Sequence, residues 1–88
     1  MQRDDPFEVV LREPAATGHR WRLANVPPQV KVIDDRYEPP PGGPLGGAGR
    51  RIVTLRATDP GNHRVKFELA REWETEPADE HYVDVDAS

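Results

Sequence analysis

The sequence contains no cysteine, and its single serine is the last residue, Ser88. Without cysteine there is no disulfide, no thiolate metal ligand and no cysteine nucleophile. A Ser–His–Asp arrangement needs a serine positioned beside a histidine, and a terminal serine does not meet that need. The remaining side chains show no organised nucleophile or acid–base pair. We therefore expect no enzymatic activity.

The sequence also has fewer positive than negative side chains. It contains 12 lysines and arginines and 16 aspartates and glutamates, which gives a net charge of −4. Nucleic acids and anionic membrane surfaces both recruit an excess of Lys and Arg, so neither partner is expected. The chain lacks a long apolar run, and its first residues lack an apolar signal region. As written, it is expected to be cytoplasmic, or to be a trimmed form of an exported protein.

Side chains that could ligate a metal are scattered. His19, His63 and His81 belong to three separate segments. Near the end of the chain, Asp84 and Asp86 would share one face of a strand, whereas His81 would point to the other face. We therefore predict no metal site and no cofactor.

What the sequence does have is an alternation of apolar and polar residues, the pattern of half-buried β-strands. The alternation marks runs near residues 7–11, 20–23, 30–33, 52–57, 64–69 and 82–85. The segment Asp59-Pro60-Gly61-Asn62 predicts a turn, and with it a hairpin between the runs 52–57 and 64–69. About six to seven short strands, with no helical period, predict an all-β sandwich or barrel in a single domain.

The first two strand runs are joined by Glu13-Pro14-Ala15-Ala16-Thr17-Gly18-His19-Arg20-Trp21. Proline restricts the backbone at the start of this loop. Gly18 can take a positive φ and turn the chain back, and Trp21 could pin the far end in the core. A stiffened loop of small residues is suited to insertion into a partner's groove. An ordinary surface loop has the same composition, so the loop alone leaves both interpretations open.

Two further segments stand out. Residues 38–49 are dense in proline and glycine, and they predict either a flexible linker or a long functional loop. Trp73 lies beside Arg71 and Glu72, just after a strand ends, where it could be an exposed interface anchor or could fold back to cap the core. Trp21 is expected inside. Were both tryptophans exposed, they could stack on sugar rings, which keeps a carbohydrate-binding module open.

In chain order, these three loops resemble those of the chagasin family of cysteine-protease inhibitors. The family's first loop carries Asn-Pro-Thr-Thr-Gly and then a tryptophan; here Pro14-Ala15-Ala16-Thr17-Gly18 holds those positions and Trp21 matches the tryptophan. The family's second loop carries Gly-x-Gly-Gly, matched by Gly47-Ala48-Gly49-Arg50. Its third loop carries Arg-Pro-Trp, matched by Arg71-Glu72-Trp73. The resemblance covers nearly the whole chain.

The resemblance implies a single chagasin-like domain over residues 1–88, folded as an immunoglobulin-like β-sandwich. It implies a reversible, non-covalent inhibitor that occludes the active-site cleft of a papain-family cysteine protease with three neighbouring loops, 13–21, 38–50 and 70–80. Thr17 and its neighbours would enter the cleft. The segment Gly47 to Arg50 would press one flank of the protease, and Arg71 with Trp73 would press the other.

The sequence departs from the family pattern in all three loops. Pro14, Ala15 and Ala16 stand where the family has asparagine, proline and threonine. Arg50 replaces the last glycine of the second loop, and Glu72 replaces the proline of the third, which should make that loop less rigid. These changes favour an alternative function, an immunoglobulin-like protein-interaction module with a changed partner and no protease inhibition.

The start of the chain also differs from the family pattern. A further strand usually precedes the first strand found here, and only Met1 to Asp4 precede it in this sequence. The sandwich is therefore expected to lack the family's first strand. The open edge would leave backbone groups available to a partner, or to a second copy in a homodimer.

Overall fold

The computed structural model describes residues 5–41 and 48–87. Its strands are β1 (Pro6–Glu13), β2 (Arg20–Asn25), β3 (Val30–Glu38), β4 (Gly49–Ala57), β5 (Gly61–Ala70) and β6 (Asp79–Ala87), and a short 3-10 helix spans Ala15–Thr17. One antiparallel sheet has the strand order β1-β4-β3, and the other has the order β2-β5-β6. The prediction of an all-β sandwich is confirmed.

The apolar positions of the alternating sequence become the inward faces of the strands. The side chains of Val53, Leu55, Val65, Phe67 and Val85 are fully buried in one shared core. Removing a side chain of this size from water stabilises the fold by about 1.5–3 kcal/mol. Because β4 of one sheet and β5 and β6 of the other supply these residues, the core lies between the two layers.

The predicted hairpin between β4 and β5 is wrong. β4 pairs with β1 and β3, whereas β5 pairs with β2 and β6. The turn itself is present, with Gly61 at φ +115°, but it carries the chain from one sheet to the other. A turn signal specifies a reversal of the chain and does not specify which strand becomes the hydrogen-bonded neighbour. Since β1 and β3 occupy both edges of β4, β5 joins the opposite sheet.

Strand register brings three loops to one end of the sandwich. In the first sheet, the ends of β1 and β3 lie beside the start of β4. In the second sheet, the end of β5 lies between the starts of β2 and β6. The first loop (residues 14–19) crosses between the sheets at this end, which also carries the described ends of the second loop (residues 39–41 and 48, within the span 39–48) and the third loop (residues 71–78). We call these three segments the loop edge; residues 42–47 of the second loop lie outside the described residues.

The predicted loss of a strand before β1 concerns residues 1–4, which also lie outside the described residues. Within the part of the chain that is described, no helix has the length and apolar character needed to cross a membrane.

Candidate functional site

The first loop is a compact turn. Its 3-10 helix is closed by two hydrogen bonds to the carbonyl of Pro14, from the amide of Thr17 at 3.2 Å and from the Thr17 hydroxyl at 2.8 Å. Gly18 follows at φ +82°, a left-handed conformation that costs an L side chain about 1–2 kcal/mol. The predicted reversal of the chain at Gly18 is confirmed.

Trp21 ties the two stems of the first loop together. Its side chain is buried, with 7% of the residue exposed, and its indole NH donates to the carbonyl of Arg12 at 2.7 Å. Its backbone NH donates to Oε1 of Glu13, also at 2.7 Å. Because Arg12 and Glu13 precede the loop and Trp21 follows it, these bonds close the loop's base. The prediction that Trp21 anchors the loop in the core is confirmed.

The carboxylate of Glu13 is the buried centre of that base, with only 2% of the residue exposed. Arg51 of β4 donates to both carboxylate oxygens, at 3.1 Å from Nε and 2.8 Å from Nη2, and its Nη1 donates to Asp35 of β3 at 3.0 Å. The hydrogen bond to Glu13 is the main cause that raises the pKa of Arg51, against the lowering effect of burial and with further support from Asp35. The guanidinium therefore stays charged and compensates the buried carboxylate.

The described stems of the second loop are closely packed. Gly49 lies so near the Tyr37 hydroxyl and the Glu38 carbonyl that a Cβ atom would overlap both. The Arg51 guanidinium lies over the Tyr37 ring, 5.7 Å from its centroid. Because Arg51 also binds Glu13, the same arginine joins the stems of the first and second loops.

The predicted contact residues of the second loop have different surroundings. Gly47 lies outside the described residues. Ala48 is half-buried and lines a shallow hollow of about 500 Å³ with the prolines at 39–41. Arg50 forms an ion pair with Glu38 on the neighbouring strand. The extra charge of Arg50 is therefore partly compensated within the sheet.

The third loop begins with a tight turn. The NH of Glu74 donates to the carbonyl of Arg71 at 3.0 Å, and the Glu74 carboxylate accepts from the NH of Arg71 at 2.9 Å. Glu72 stands exposed within this turn. Trp73 is 75% exposed, and the Arg71 guanidinium lies 5.9 Å from its ring centroid. This exposure excludes the alternative in which Trp73 caps the core, and it fits an interface anchor.

The first and third loops are in direct contact. Nε of Arg71 donates to the carbonyl of Thr17 at 3.0 Å, across 54 positions of the sequence. The space beside Gly18 is bounded by Arg71 and Trp73, each 4.0 Å from where a Cβ atom would lie. The structure therefore brings together the predicted contact residues of these two loops.

One group of side chains has the arrangement of a catalytic triad, with Thr17 in the place of the nucleophile, His19 in that of the base and Glu74 in that of the acid. Nδ1 of His19 is 2.6 Å from Oγ1 of Thr17, and its Nε2 is 3.8 Å from Oε1 of Glu74. The hydroxyl also lies 2.8 Å from the carbonyl of Pro14, which can only accept a hydrogen bond. The hydroxyl proton is therefore not committed to the imidazole. We interpret the arrangement as a junction between two loops rather than as an activated nucleophile.

An arginine-rich groove of about 470 Å³ adjoins this junction, lined by Gly18, Arg20, Arg22, Ala70, Arg71 and Glu72. Arg22 pairs with Glu68 at 3.2 Å, and Arg71 is bound to the first loop. Three guanidinium groups and the Glu72 carboxylate line the groove, and the carboxylates of Glu68 and Glu74 lie beside Arg22 and Arg71.

The carbohydrate-binding alternative from the sequence loses support. Trp21 is buried while Trp73 is exposed, so the two rings do not form a shared platform for a sugar. Across residues 5–41 and 48–87, no three histidine or carboxylate side chains meet as metal ligands would. His81 instead packs edge-on against Trp21, with ring centroids 6.3 Å apart, and Asp84 pairs with Arg64 at 3.1 Å.

Sequence reasoning missed three residues that organise the loop edge. The alternation that places Val9 and Leu11 inward extends to Glu13, so the sequence did contain a signal for its burial. Nothing in the sequence identifies Arg51 as the partner of Glu13. Likewise, no local pattern places His19 beside the third loop.

Comparison with known proteins agrees with the fold described above. The family described as Chagasin family peptidase inhibitor I42 matches residues 1–86. The crystal structure of the cysteine protease inhibitor EhICP2 from Entamoeba histolytica superposes with a TM-score of 0.81 at 25% identity, and the match covers 100% of this chain and 83% of that chain. The solution structure of amebosin superposes with a TM-score of 0.67 at 17% identity, covering 100% of this chain and 85% of that chain, which is a likeness of fold. No curated protein matches the chain significantly.

Proposed function

Because the chain belongs to the chagasin family of peptidase inhibitors, we propose that it is a reversible, non-covalent inhibitor of papain-like cysteine proteases. Proteins of this family inhibit cysteine proteases and are not enzymes. In the proposed complex the loop edge occludes the active-site cleft without reacting. Thr17 and its neighbours enter the cleft, the second loop covers one flank, and Arg71 with Trp73 covers the other.

The observation that carries this proposal is the contact between the first and third loops. Arg71 holds the carbonyl of Thr17, and the exposed Trp73 stands beside Gly18. An aromatic anchor that is already oriented by its neighbours loses little conformational entropy when it binds. A pre-organised edge of this kind supports occlusion of a groove.

The alternative is an interaction module with a changed partner, suggested by Pro14, Arg50 and Glu72. Two observations favour inhibition instead. The first-loop turn is closed by Thr17, and the third-loop turn is closed by Glu74, although family residues are replaced in both loops. The replacements therefore leave two compact turns with their tips exposed.

The proposal is tested by titrating active-site-quantified papain and a cathepsin-type protease with the purified protein. We expect dose-dependent, reversible inhibition. In a double variant, Thr17→Arg places a long charged side chain at the tip of the first loop, and Trp73→Ala removes the anchor. Losing one hot-spot residue costs at least about 2 kcal/mol, so the inhibition constant should rise by about 30-fold or more.

A matched control carries the same chemical changes away from the loop edge. In this variant, Asn62→Arg changes the start of β5 at the opposite end, and Tyr82→Ala removes an exposed aromatic ring from the outer face of β6. It should inhibit like the wild type. If folded wild-type protein leaves both proteases unaffected at micromolar concentration, the interaction-module alternative replaces this proposal.

Pairing of two copies through a sheet edge is a separate proposal. β3 is an edge strand of the first sheet, and Val32 and Ile33 on it are exposed. A bulge between Val32 and Asp34 interrupts the register of β3, and charged neighbours discourage a continuous ladder with a second chain. We expect a weak dimer at most, visible by sedimentation velocity only at high protein concentration and absent in Ile33→Lys.

A further inference from the structure

Arg51 stands at the end of an inward-facing row of apolar side chains. Alternate residues of a strand share one face, and on β4 that face carries Arg51, Val53 and Leu55, of which Val53 and Leu55 are fully buried. The side chain of Arg51 is only 12% exposed, and that of its partner Glu13 is 2% exposed. Charged side chains are almost never buried to this extent unless they are paired, so Arg51 depends on its partners.

The guanidinium group of Arg51 is held at three points and lies over an aromatic ring. Nε and Nη2 donate to the two carboxylate oxygens of Glu13, at 3.1 and 2.8 Å, and Nη1 donates to Asp35 at 3.0 Å. The guanidinium carbon lies 5.7 Å from the centroid of the Tyr37 ring. Because a guanidinium is planar and rigid, partners bound to its different edges are also fixed relative to one another. The ammonium of a lysine is a point charge on a flexible stem and would not fix them.

The partners of Arg51 belong to the stems of two different loops. Glu13 is the last residue of β1 and directly precedes the first loop, whereas Asp35 and Tyr37 lie near the end of β3, which leads into the second loop. The Tyr37 hydroxyl also packs against Gly49, where β4 begins after the second loop. Arg51 therefore links the stem of the first loop to both stems of the second.

A shallow hollow lies between the first loop and these stems. Its volume is about 220 Å³, and its lining includes Gly18 and His19 of the first loop, Tyr37 of β3, and Arg51 itself. A constant spacing across an open hollow needs a rigid connection between its two sides. The hydrogen bonds of Arg51 supply such a connection.

Stability alone does not call for an ion pair at this position. Replacing a buried ion pair by apolar side chains of similar volume is often neutral or stabilising, and the neighbours Leu11 and Val53 are already apolar. Hydrophobic burial is not directional, so two apolar side chains in contact can shift past one another. Hydrogen bonds from three nitrogens of one rigid group restrict such movement. The ion pair therefore contributes a defined geometry that an apolar pair would lack.

We propose that Arg51 is a positioning residue that fixes the spacing between the first loop and the stems of the second, as Arg71 ties the first loop to the third. The inference rests on the proposed function, because this spacing matters for inhibition only if both loops contact the same protease. Arg51 needs no contact with that protease. Its role is to hold the two loops at one spacing before binding, which lowers the entropy cost of ordering them in the complex.

The variant that tests this role combines Glu13→Gln with Arg51→Met. Glutamine keeps an acceptor for the backbone NH of Trp21, which donates to Glu13 in the wild type, and methionine leaves no unpaired charge in the core. Because the buried pair is replaced rather than broken, the urea midpoint of the double variant should lie closer to the wild type than that of Glu13→Gln alone. A change in loop spacing or inhibition is then not a consequence of unfolding.

The matched control combines Asp84→Asn with Arg64→Met. Arg64 and Asp84 also form an arginine–carboxylate pair, with Nε 3.1 Å from Oδ1, but both side chains are exposed on the second sheet. The pair lies on β5 and β6, outside the loop edge. Its replacement should change neither the loop spacing nor the inhibition constant.

The spacing is measured in the free protein by pulsed electron paramagnetic resonance. The chain contains no cysteine, so two spin labels can be attached to introduced cysteines at exposed positions. Ala16→Cys with Pro39→Cys spans the first and second loops, and Ala16→Cys with Thr75→Cys spans the first and third. In the double variant of Glu13 and Arg51, the first distance distribution should broaden, and the second should remain as in the wild type.

Inhibition is measured with the unlabelled proteins against active-site-quantified papain. In the double variant of Glu13 and Arg51, the inhibition constant should rise by about three- to tenfold, because the loops must now be ordered when the protease binds. The control should inhibit like the wild type. An unchanged inhibition constant, despite a broadened spacing, would show that Arg51 does not position the loops for inhibition.

The measurement on the free protein separates this inference from the proposed function. An unchanged distance distribution between the first and second loops would overturn the inference, even if the protein inhibits papain. Equal broadening of both distributions would also overturn it, since the replacement would then loosen the whole loop edge. Selective broadening in a protein that inhibits no protease would retain Arg51 as the residue that sets the spacing and would remove the proposed function.

Discussion

Glu13 is the residue on which the base of the first loop depends. Its carboxylate accepts hydrogen bonds from the backbone NH of Trp21 and from Nε and Nη2 of Arg51. In Glu13→Gln the shape is kept, but Arg51 loses its main counter-charge in a buried setting. Breaking a buried pair costs about 3–5 kcal/mol, and the remaining ion pair with Asp35 should reduce the loss to about 2–4 kcal/mol. The loss in the free energy of unfolding is measured by urea denaturation, with circular dichroism as the signal.

Glu38→Gln is the matched control for this prediction. Glu38 also pairs with an arginine, Arg50, but both side chains are largely exposed. Exposed ion pairs contribute about 0–1 kcal/mol, so this variant should unfold close to the wild type. Equal losses from the two substitutions would show that burial of Glu13 does not set the strength of its pair.

Gly49 is a second residue where a small change should have a large effect. A methyl group there would overlap the Tyr37 hydroxyl and the Glu38 carbonyl. Gly49→Ala should lower the free energy of unfolding by about 1–3 kcal/mol, as overpacking in a filled site does. Because Tyr37→Phe removes one of the overlapping atoms, the same substitution should cost less in that background. Strict additivity of the two changes in denaturant unfolding would contradict this packing argument.

At the scale of elements, the alternation of apolar and polar residues predicts the strands, because successive side chains of a strand point to opposite faces and the apolar ones face the core. Val65, Phe67 and Leu69 show this in β5, where all three are buried. Alternation does not show which strands are hydrogen-bonded neighbours, so the turn at Gly61 wrongly indicates a hairpin between β4 and β5. Pairing is decided by competition among all strands for a limited number of sheet edges, and a local pattern carries no information on that competition.

The loops likewise have some features that the sequence predicts and others that it does not. The reversal at Gly18 was predictable because only glycine adopts its φ without a steric cost. The bond between Arg71 and Thr17 joins residues 54 positions apart, and it depends on both sheets being assembled. The sequence could therefore indicate which segments form the candidate site, but not the contacts that hold them together.

The hydrogen bond from Arg71 to the carbonyl of Thr17 leads to a prediction for the third loop. In Arg71→Ala the third loop loses its side-chain bond to the first loop, and Trp73 loses the neighbouring guanidinium. We expect protease inhibition to weaken by about tenfold or more, while the free energy of unfolding changes by less than about 1 kcal/mol. Inhibition assays and urea unfolding together measure the two effects.

Arg64→Ala is the control for this prediction. Arg64 also lies over an exposed aromatic ring, 5.7 Å from the centroid of Tyr82, but in the middle of the sheet face. Its removal should leave inhibition unchanged. If Arg71→Ala and Arg64→Ala weaken inhibition equally, orientation of the third loop is not the cause.

At the scale of the whole molecule, the two sheets are linked by one shared core. Within residues 5–41 and 48–87, each sheet has three strands, and a sheet of that size needs a covered apolar face to be stable. Leu55 of the first sheet and Phe67 of the second belong to the same buried cluster. Neither sheet should therefore remain folded when the other opens.

The two tryptophans allow this cooperativity to be measured. In Trp73→Phe the only remaining tryptophan is Trp21, which is buried in β2 and bonded to the end of β1. Because its ring reports on the contact between the sheets, its fluorescence should change at the same urea concentration as the far-ultraviolet circular dichroism, which reports on the strands of both sheets. In Trp21→Phe the exposed Trp73 should instead give a smaller fluorescence change on unfolding, since the ring is already in water. Separate midpoints for fluorescence and circular dichroism in Trp73→Phe would mean that one sheet outlasts the other, and that the shared core does not couple them.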